Sequence, residues 1–328
     1  MSRLIEDIGA FLNANGFEYS FQIRHDFDVI CARTMDGQHT RVILPLEISA
    51  GTLEEAVKES RMAYEAVLSI KALEGYPIII PEDRWKRQRP MMEARLLAHM
   101  EVFSQAYARN CEVRRIDKET AQRFLNDNHS YGYAACKYRY GLFLKRHTGH
   151  VAREIEEDRF LGCARNDNRS DRNDNRSDRN DNRSDRGDIV GTLIAVATFS
   201  NARKWIKDGK EIRSYEWTRY ASVPELRVSG GMGKLLKAFI KEVQPDDIMS
   251  YADLEWSEGK VYEALGFSEE QPKDPVSFEI DPETWERRAI MRCQPEQGTT
   301  QVEQDTAGKL FYTNFGSRKL RLKLTDYQ

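Results

Sequence analysis

The sequence has little that would staple it, anchor it or charge it. Five cysteines are scattered at Cys31, Cys111, Cys136, Cys163 and Cys293, with no CxxC pair. An odd, widely spaced set argues against a disulfide framework or a zinc knuckle and implies reduced thiols in a cytoplasm. No apolar run approaches the roughly 20 residues that a bilayer crossing needs; the longest lies around Ile189–Phe199. The N-terminus, MSRLIEDIGAFLNANGF, carries acids and lacks the apolar stretch of a signal peptide. There is no charge excess either. Fifty Lys and Arg face 53 Asp and Glu, for a formal net charge of −3, so the chain as a whole does not attract nucleic acid.

What is present supports a folded protein. Hydrophobic residues make up 40% of 328, enough for a sizeable core and about two domains. Three regions are expected, 1–108, 109–282 and 283–328. The first is a smaller α/β domain. It holds a helix over Leu4–Asn13, strands over Phe27–Arg33 and Thr40–Ile48, and a helix over Thr52–Leu73 capped by Thr52. The apolar run Tyr76–Ile80 follows as a short strand, then a helix over Pro90–Arg109. The second region reads as strand (Cys111–Ile116), helix (Lys118–Asn126), strands over Tyr140–Lys145, Ile189–Ser200 and Glu211–Ala221, a helix over Leu235–Val243, and a strand over Asp247–Ala252. A short helix (Gly259–Leu265) and a strand (Val276–Ile280) complete it. In the third region, LFYTNFGSRKLRLKL alternates at its end and is expected to form an edge strand.

Within the second region, residues 165–185 are three copies of RNDNRSD. Each copy is charge-balanced and has no apolar residue, so the tract cannot offset its chain entropy by burial and is expected to be a disordered loop expansion. Lengthening an exposed loop costs only about 0.6 kcal/mol per doubling.

The segment ELRVSGGMGKLLKAF sets Gly230, Gly231 and Gly233 ahead of the apolar helical positions Leu235, Leu236 and Phe239. Glycine inside a helix costs about 1 kcal/mol relative to Ala. At the start of one, it lets backbone N–H groups converge on an anion, helped by the helix dipole. The loop has neither the Lys-Ser/Thr of a Walker A motif nor GxGxxG spacing. A pyrophosphate held by the backbone of Val228, Ser229, Gly230, Gly231, Met232, Gly233 and Lys234 fits better; the alternative is a tight turn without a ligand.

About 25 residues on, the chain reads YADLEWSEGKVYEALGF over Tyr251–Phe267. VSGGMGKLL followed by VYEALGF resembles motifs A and B of the GNAT N-acyltransferase superfamily. Gly231-Met232-Gly233 match motif A, while Val228 stands at its first position and Arg227 lies one residue early. The resemblance covers about half of the chain. It implies an α/β (α+β) fold with a mixed, splayed sheet flanked by helices, and acetyl-CoA or another acyl-CoA as cofactor. A narrower similarity runs through His129-x-x-Gly132, Tyr140-Gly141-Leu142, Val190-Gly191, Phe199-x-x-x-Arg203, Glu216-x-x-Arg219, Tyr251-Ala252-Asp253, Trp256-Ser257-x-Gly259 and Phe311-Tyr312-x-x-x-Gly316-Ser317-x-Lys319. It is to Mom-like acyltransferase domains of phages and mobile elements, which modify DNA bases.

By that resemblance the thioester lies between strands 211–221 and 247–252, and an amine acceptor attacks it directly. Tyr262 is the expected acid; otherwise it packs its helix against the sheet. Glu216 is the expected base, or a partner of Arg213 or Arg219. Asp253, at a strand's carboxyl end, is a second base or the cap of a turn. His129, Arg203, Arg219 and Ser257 are expected to line the acceptor site, Arg203 and Arg219 by binding an anionic acceptor; the alternatives are a structural histidine and solvated surface arginines. No metal is expected. A catalytically silent CoA-fold binding module is a third reading, beside the enzyme and the Mom-like base modifier. In the first region, Asp28 and Glu47 in PLEIS resemble a degenerate nuclease core, but Ser49 stands where such cores carry lysine, which disfavours a nuclease. The basic runs Arg84–Arg89 and Arg318–Lys323 are potential phosphate contacts or solvated faces.

Overall fold

The computed structural model describes residues 2–145, 191–207, 209–290 and 308–326. The heptad tract, Cys163, Val190, Cys293 and most of 294–309 lie outside them.

The first unit comprises α1 (Arg3–Ala14), β1 (Tyr19–Arg24), β2 (Phe27–Arg33), β3 (Thr40–Leu46), α2 (Leu53–Glu74), β4 (Ile78–Pro81), α3 (Glu82–Arg87), α4 (Arg89–His99) and β5 (Ser104–Tyr107). β1 to β4 form a sheet in chain order, antiparallel except that β4 runs parallel to β3. The parallel step requires a crossover, which α2 supplies. Thr52 and Glu55 close a capping box at the start of α2, a feature worth about 1 kcal/mol. Ile8, Leu12, Ile30, Ile43, Ile80 and Trp85 fill the core on one side of this sheet.

The remaining elements are β6 (Cys111–Arg115), α5 (Lys118–Asn128), β7 (Tyr138–Leu144), β8 (Leu193–Phe199), β9 (Arg203–Lys207), β10 (Lys210–Ser222), β11 (Leu226–Ser229), α6 (Gly231–Val243), β12 (Asp247–Asp253), α7 (Lys260–Ala264), β13 (Ser268–Glu269), β14 (Ser277–Ile280), β15 (Arg287–Ala289), β16 (Leu310–Thr313) and β17 (Ser317–Lys323). The main sheet has the order β13-β17-β12-β10-β8-β7-β6, with β9 paired to β10. It is mixed: β10 and β12 are parallel, and its other pairings are antiparallel. Phe239 of α6 stacks flat on Phe199 at 3.9 Å between ring centroids, with Tyr138, Tyr140 and Tyr215 edge-on around it. This aromatic stack fastens α6 to the sheet.

β10 and β12 pair only over Ser214–Glu216 and Asp247–Met249. The pairing of β10 with β8 shifts register between Trp217 and Arg219. A bulge of this kind bends its strand, so β10 turns away from β12 just past Glu216.

Several expectations need correction. The helix expected over Pro90–Arg109 ends at His99, because Glu101 takes a left-handed conformation (φ 69°) and Ser104–Tyr107 is drawn into a parallel pair with β11. The run expected as an edge strand is β17, which lies between β12 and β13 inside the main sheet. The strands Tyr19–Arg24 and Arg203–Lys207 were not anticipated.

Candidate functional site

The glycine segment is tighter than the loop expected from it. Val228 and Ser229 belong to β11, Gly230 is the N-cap of α6 at φ 76°, and Gly231, Met232, Gly233 and Lys234 form its first turn. No side chain caps this end, so the leading N–H groups, which an α-helix cannot satisfy internally, face outward. A Cβ at Gly231 would stand 2.9 Å from Val228 Cγ1 and 3.3 Å from the Tyr220 hydroxyl, which explains the glycine. A Cβ at Gly233 would stand 3.2 Å from Leu265 Cδ2, so the segment that ends α7 leans on the same turn. Lys234 departs from expectation, since its backbone N–H donates to the Gly230 carbonyl at 3.1 Å; its ammonium donates to the carbonyls of Ala108 (2.7 Å) and Cys111 (2.5 Å) and fastens α6 to the chain before β6.

Where β10 and β12 part, a side chain replaces the ladder. The Ser250 hydroxyl is shared between the Trp217 carbonyl at 3.0 Å and the Tyr262 phenol oxygen at 3.1 Å. The Tyr262 ring packs edge-on against Trp217 and Phe267. Burial pushes its phenol up, opposed by Ser250 and Arg219. Tyr262 therefore stays protonated near neutral pH, as a proton donor must.

The other expected residues divide into two groups. His129 lies near Arg219 and Arg84, Arg84 faces Asp253, and Glu216 acts on Arg219; Arg203 and Ser257 lie at the edge of this group. Arg203 is exposed and stands 3.7 Å from Glu216, so the carboxylate faces a guanidinium. The Ser257 hydroxyl accepts from the Gly259 N–H at 3.3 Å and holds the turn into α7. Asp253 also holds a turn, since its Oδ1 accepts from the Glu255 N–H at 2.9 Å. Its Oδ2, however, is buried without a hydrogen bond.

Arg84 of α3 faces that oxygen. Its side chain is only 5% exposed, its Nη2 lies 3.7 Å from Asp253 Oδ2, and its Nε lies 3.7 Å from Glu255 Oε2. Both nitrogens lack hydrogen-bond partners. The guanidinium lies over the Tyr131 ring, 4.6 Å from its centroid. Tyr131 and Arg84 were not singled out from the sequence. Arg84 is hidden in a run of basic residues, and its nearest clue is the acidic pair Glu82-Asp83 after the apolar β4.

Behind Arg84 lies a largely buried ion cluster. Arg287 grips Asp83 with two nitrogens and reaches Glu255 at 3.1 Å, while the Tyr312 hydroxyl donates to the other Glu255 oxygen. Burial works to lower Arg287, but Glu255 and Asp83 overcome it and hold the guanidinium protonated. Arg95 donates to the carbonyls of Ile79, Glu255 and Trp256. This cluster joins α3 and α4 of the first unit to the strand exits of the main sheet.

Histidine protonation gives a prediction here. His129 is held down to about 3 by burial and then by Arg219 and Arg84; His99 is likewise at about 3, by burial and then Arg95. The unfolded chain takes up these protons near the ordinary value of 6.5, the folded chain only near 3. Stability from the neutral rings is therefore complete above about 6.5 and declines as pH falls toward 3. Urea midpoints should drop between about pH 7 and about pH 4, and the double variant His99→Gln, His129→Gln should flatten that decline. An unchanged slope in the variant would contradict the assignment.

Both basic runs are ion-paired. Lys86, Arg87 and Arg89 meet Glu82, Glu286, Asp7 and Glu93, while Arg318, Lys319 and Arg321 meet Glu263, Glu269, Glu270 and Asp247. Asp28, Glu47 and Ser49 line one cavity of about 430 Å³ together with Asp26, Glu59, Phe311, Tyr312 and Thr313, and no Lys, Arg or His among the described residues lines it. Asp36, His39 and Glu101 lie close enough to share an ion. All three are exposed, with Asp36 bonded to Thr34 and Gln38. No helix among the described residues is long and apolar enough to cross a membrane.

No protein-family model matches the chain, and no curated protein matches it in sequence.

Proposed function

We propose that this protein is an acyl-CoA-dependent N-acyltransferase that passes an acyl group directly from CoA to an amine. One observation carries the reading. The uncapped start of α6 opens beside the place where β10 leaves β12, and a protonated phenol, Tyr262, stands at that parting. The mixed sheet, with one parallel pair in it and α6 stacked on it, supports this reading.

On this reading the N–H groups of Gly231, Met232 and Gly233 bind the pyrophosphate. The thioester carbonyl lies in the gap, and the amine nitrogen attacks its carbon. The C–N bond forms, the C–S bond breaks, and the departing thiolate takes the Tyr262 proton. The proton lost by the amine goes to Asp253 or to Glu216, each of which faces a guanidinium at 3.7 Å. Among the described residues the basic runs are ion-paired, so they do not favour the Mom-like alternative, with a nucleic-acid base as acceptor.

Calorimetry with acetyl-CoA tests the cofactor. Met232→Glu places a carboxylate in the first turn of α6, where it favours the helix by about 0.3–1 kcal/mol but repels a diphosphate. Affinity for acetyl-CoA is expected to fall at least about tenfold, with a lower urea midpoint but a still cooperative transition, since Met232 packs partly against the core. If the wild type gives no heat, the transferase reading is wrong.

A further inference from the structure

The cavity of about 430 Å³ lies at one end of the first sheet and has no part in the chemistry proposed above. Its volume is that of a small-molecule pocket, about 300–1,000 Å³. The strand register explains its place. β2 and β3 are antiparallel, so the start of β2, with Asp26 and Asp28 on either side of Phe27, lies beside the end of β3, where Glu47 follows Leu46. The first half of α2 adds Glu59. A further wall comes from the other part of the chain. There the Phe311 N–H donates to the Ala50 carbonyl at 2.9 Å, the Ser60 hydroxyl donates to the Asn314 carbonyl at 3.2 Å, and the Phe315 ring packs on Tyr64 at 5.4 Å between centroids.

Two chemistries line this space. Ile5, Leu46, Ala63, Phe311 and Phe315 are buried and give it an apolar floor. Asp26, Asp28, Glu47 and Glu59 supply its charge, and all four are exposed. Among the described residues none of these carboxylates has a hydrogen bond or an ion pair. The cations next to them in sequence do not line the cavity: Arg24 pairs with Glu74 at 3.1 Å, and His25, Lys58 and Arg61 are exposed outside it. Burial, and then Glu55, push the Glu59 carboxyl up, as expected where negative charge lacks a counterion.

A single metal ion does not suit this spread. The described residues bring three potential ligand atoms within 4.8 Å of one another only at Asp36, His39 and Glu101, not here. A divalent ion gathers its oxygens at about 2.0–2.6 Å. Separated carboxylates around an apolar floor suit an extended cation instead. We propose that the cavity binds a linear aliphatic polyamine, with its methylene segments on the floor and its ammonium groups at the carboxylates. The four acids come from the first unit and two floor aromatics, Phe311 and Phe315, from the end of the chain, so the site is assembled from both. None of the residues named for it takes part in acyl transfer, so the proposal does not depend on that reading.

The test titrates spermidine, 1,8-diaminooctane and 1,8-octanediol into the full chain by calorimetry. Spermidine and the diamine are expected to bind. The diol should bind at least about tenfold more weakly than the diamine, because it offers the floor the same methylenes without the charge. The variant Asp28→Asn, Glu47→Gln, Glu59→Gln alters exposed side chains, so its urea midpoint should stay near wild type, and it should bind spermidine at least about fivefold more weakly. The control Glu18→Gln, Glu54→Gln, Glu65→Gln removes as much charge from exposed positions outside the cavity and should bind like the wild type. The proposal is overturned if the wild type does not bind spermidine, if the diol binds as tightly as the diamine, or if the cavity variant keeps the wild-type affinity. Equal weakening in the control would mean diffuse attraction to an acidic surface and would overturn it too. Mn²⁺ that binds the wild type more tightly than spermidine does, and fails to bind the cavity variant, would mark a metal site in its place. Failure of acetyl-CoA to bind would overturn the transfer reading and leave a spermidine result standing.

Discussion

Arg287→Met is expected to destabilise the protein by about 3–5 kcal/mol, the usual consequence of removing one member of a buried ion pair. The size follows from what is left behind. The Asp83 and Glu255 side chains are 3% and 2% exposed, and without Arg287 two carboxylates share a dry site with Arg84 as their nearest countercharge. Glu255 is already raised by burial, so it would take up a proton before it could persist charged there. Equilibrium urea unfolding at neutral pH measures the loss. Arg33→Met, which breaks the exposed pair with Glu18, serves as the control and should cost less than about 1 kcal/mol. A small effect at Arg287, comparable with that control, would mean that water reaches the cluster.

Tyr262→Phe is expected to lower the rate of acyl transfer by about 10²–10⁴, the range associated with one positioned acid. The substitution removes a single oxygen. The ring contacts to Trp217 and Phe267 remain, and Ser250 keeps its bond to the Trp217 carbonyl. Stability and acetyl-CoA affinity should therefore stay close to wild type while turnover collapses. That split separates an acid from a packing residue, because a packing role would move the unfolding midpoint and leave turnover intact. The assay is thiol release from acetyl-CoA in the presence of an amine. Equal rates for Phe and Tyr at this position would remove Tyr262 from the chemistry.

Local chemistry made parts of this molecule readable in advance. Thr52 before an acidic turn and Asp117 before Lys118 mark helix starts, and both side chains accept the expected backbone hydrogen bond. The apolar pattern Leu235, Leu236, Phe239 marks the buried face of α6, and all three are buried. Elements whose identity depends on a distant partner were not readable. Ser104–Tyr107 continues a helical pattern and becomes a strand only because Leu226–Ser229 pairs with it. Arg84 and Arg87 look alike in a basic run, yet the Arg84 side chain is 5% exposed and the Arg87 side chain 46%. The Lys234 backbone beside three glycines reads as part of a phosphate loop, and only the fold shows its N–H bonded to the Gly230 carbonyl. Long-range placement decides such cases, and a single sequence does not contain it.

The parallel pair of β5 and β11 means that the two halves of the chain are not separable parts. β11 leads directly into the Gly230 turn, and its strand partner comes from the last segment of the first unit. A truncated protein starting at Cys111 would leave Leu226–Ser229 without its neighbour and would remove Arg84 as well. Grafting the glycine turn onto another scaffold, or trimming away the first 110 residues to obtain a minimal fragment, would therefore dismantle the cradle that either experiment set out to isolate.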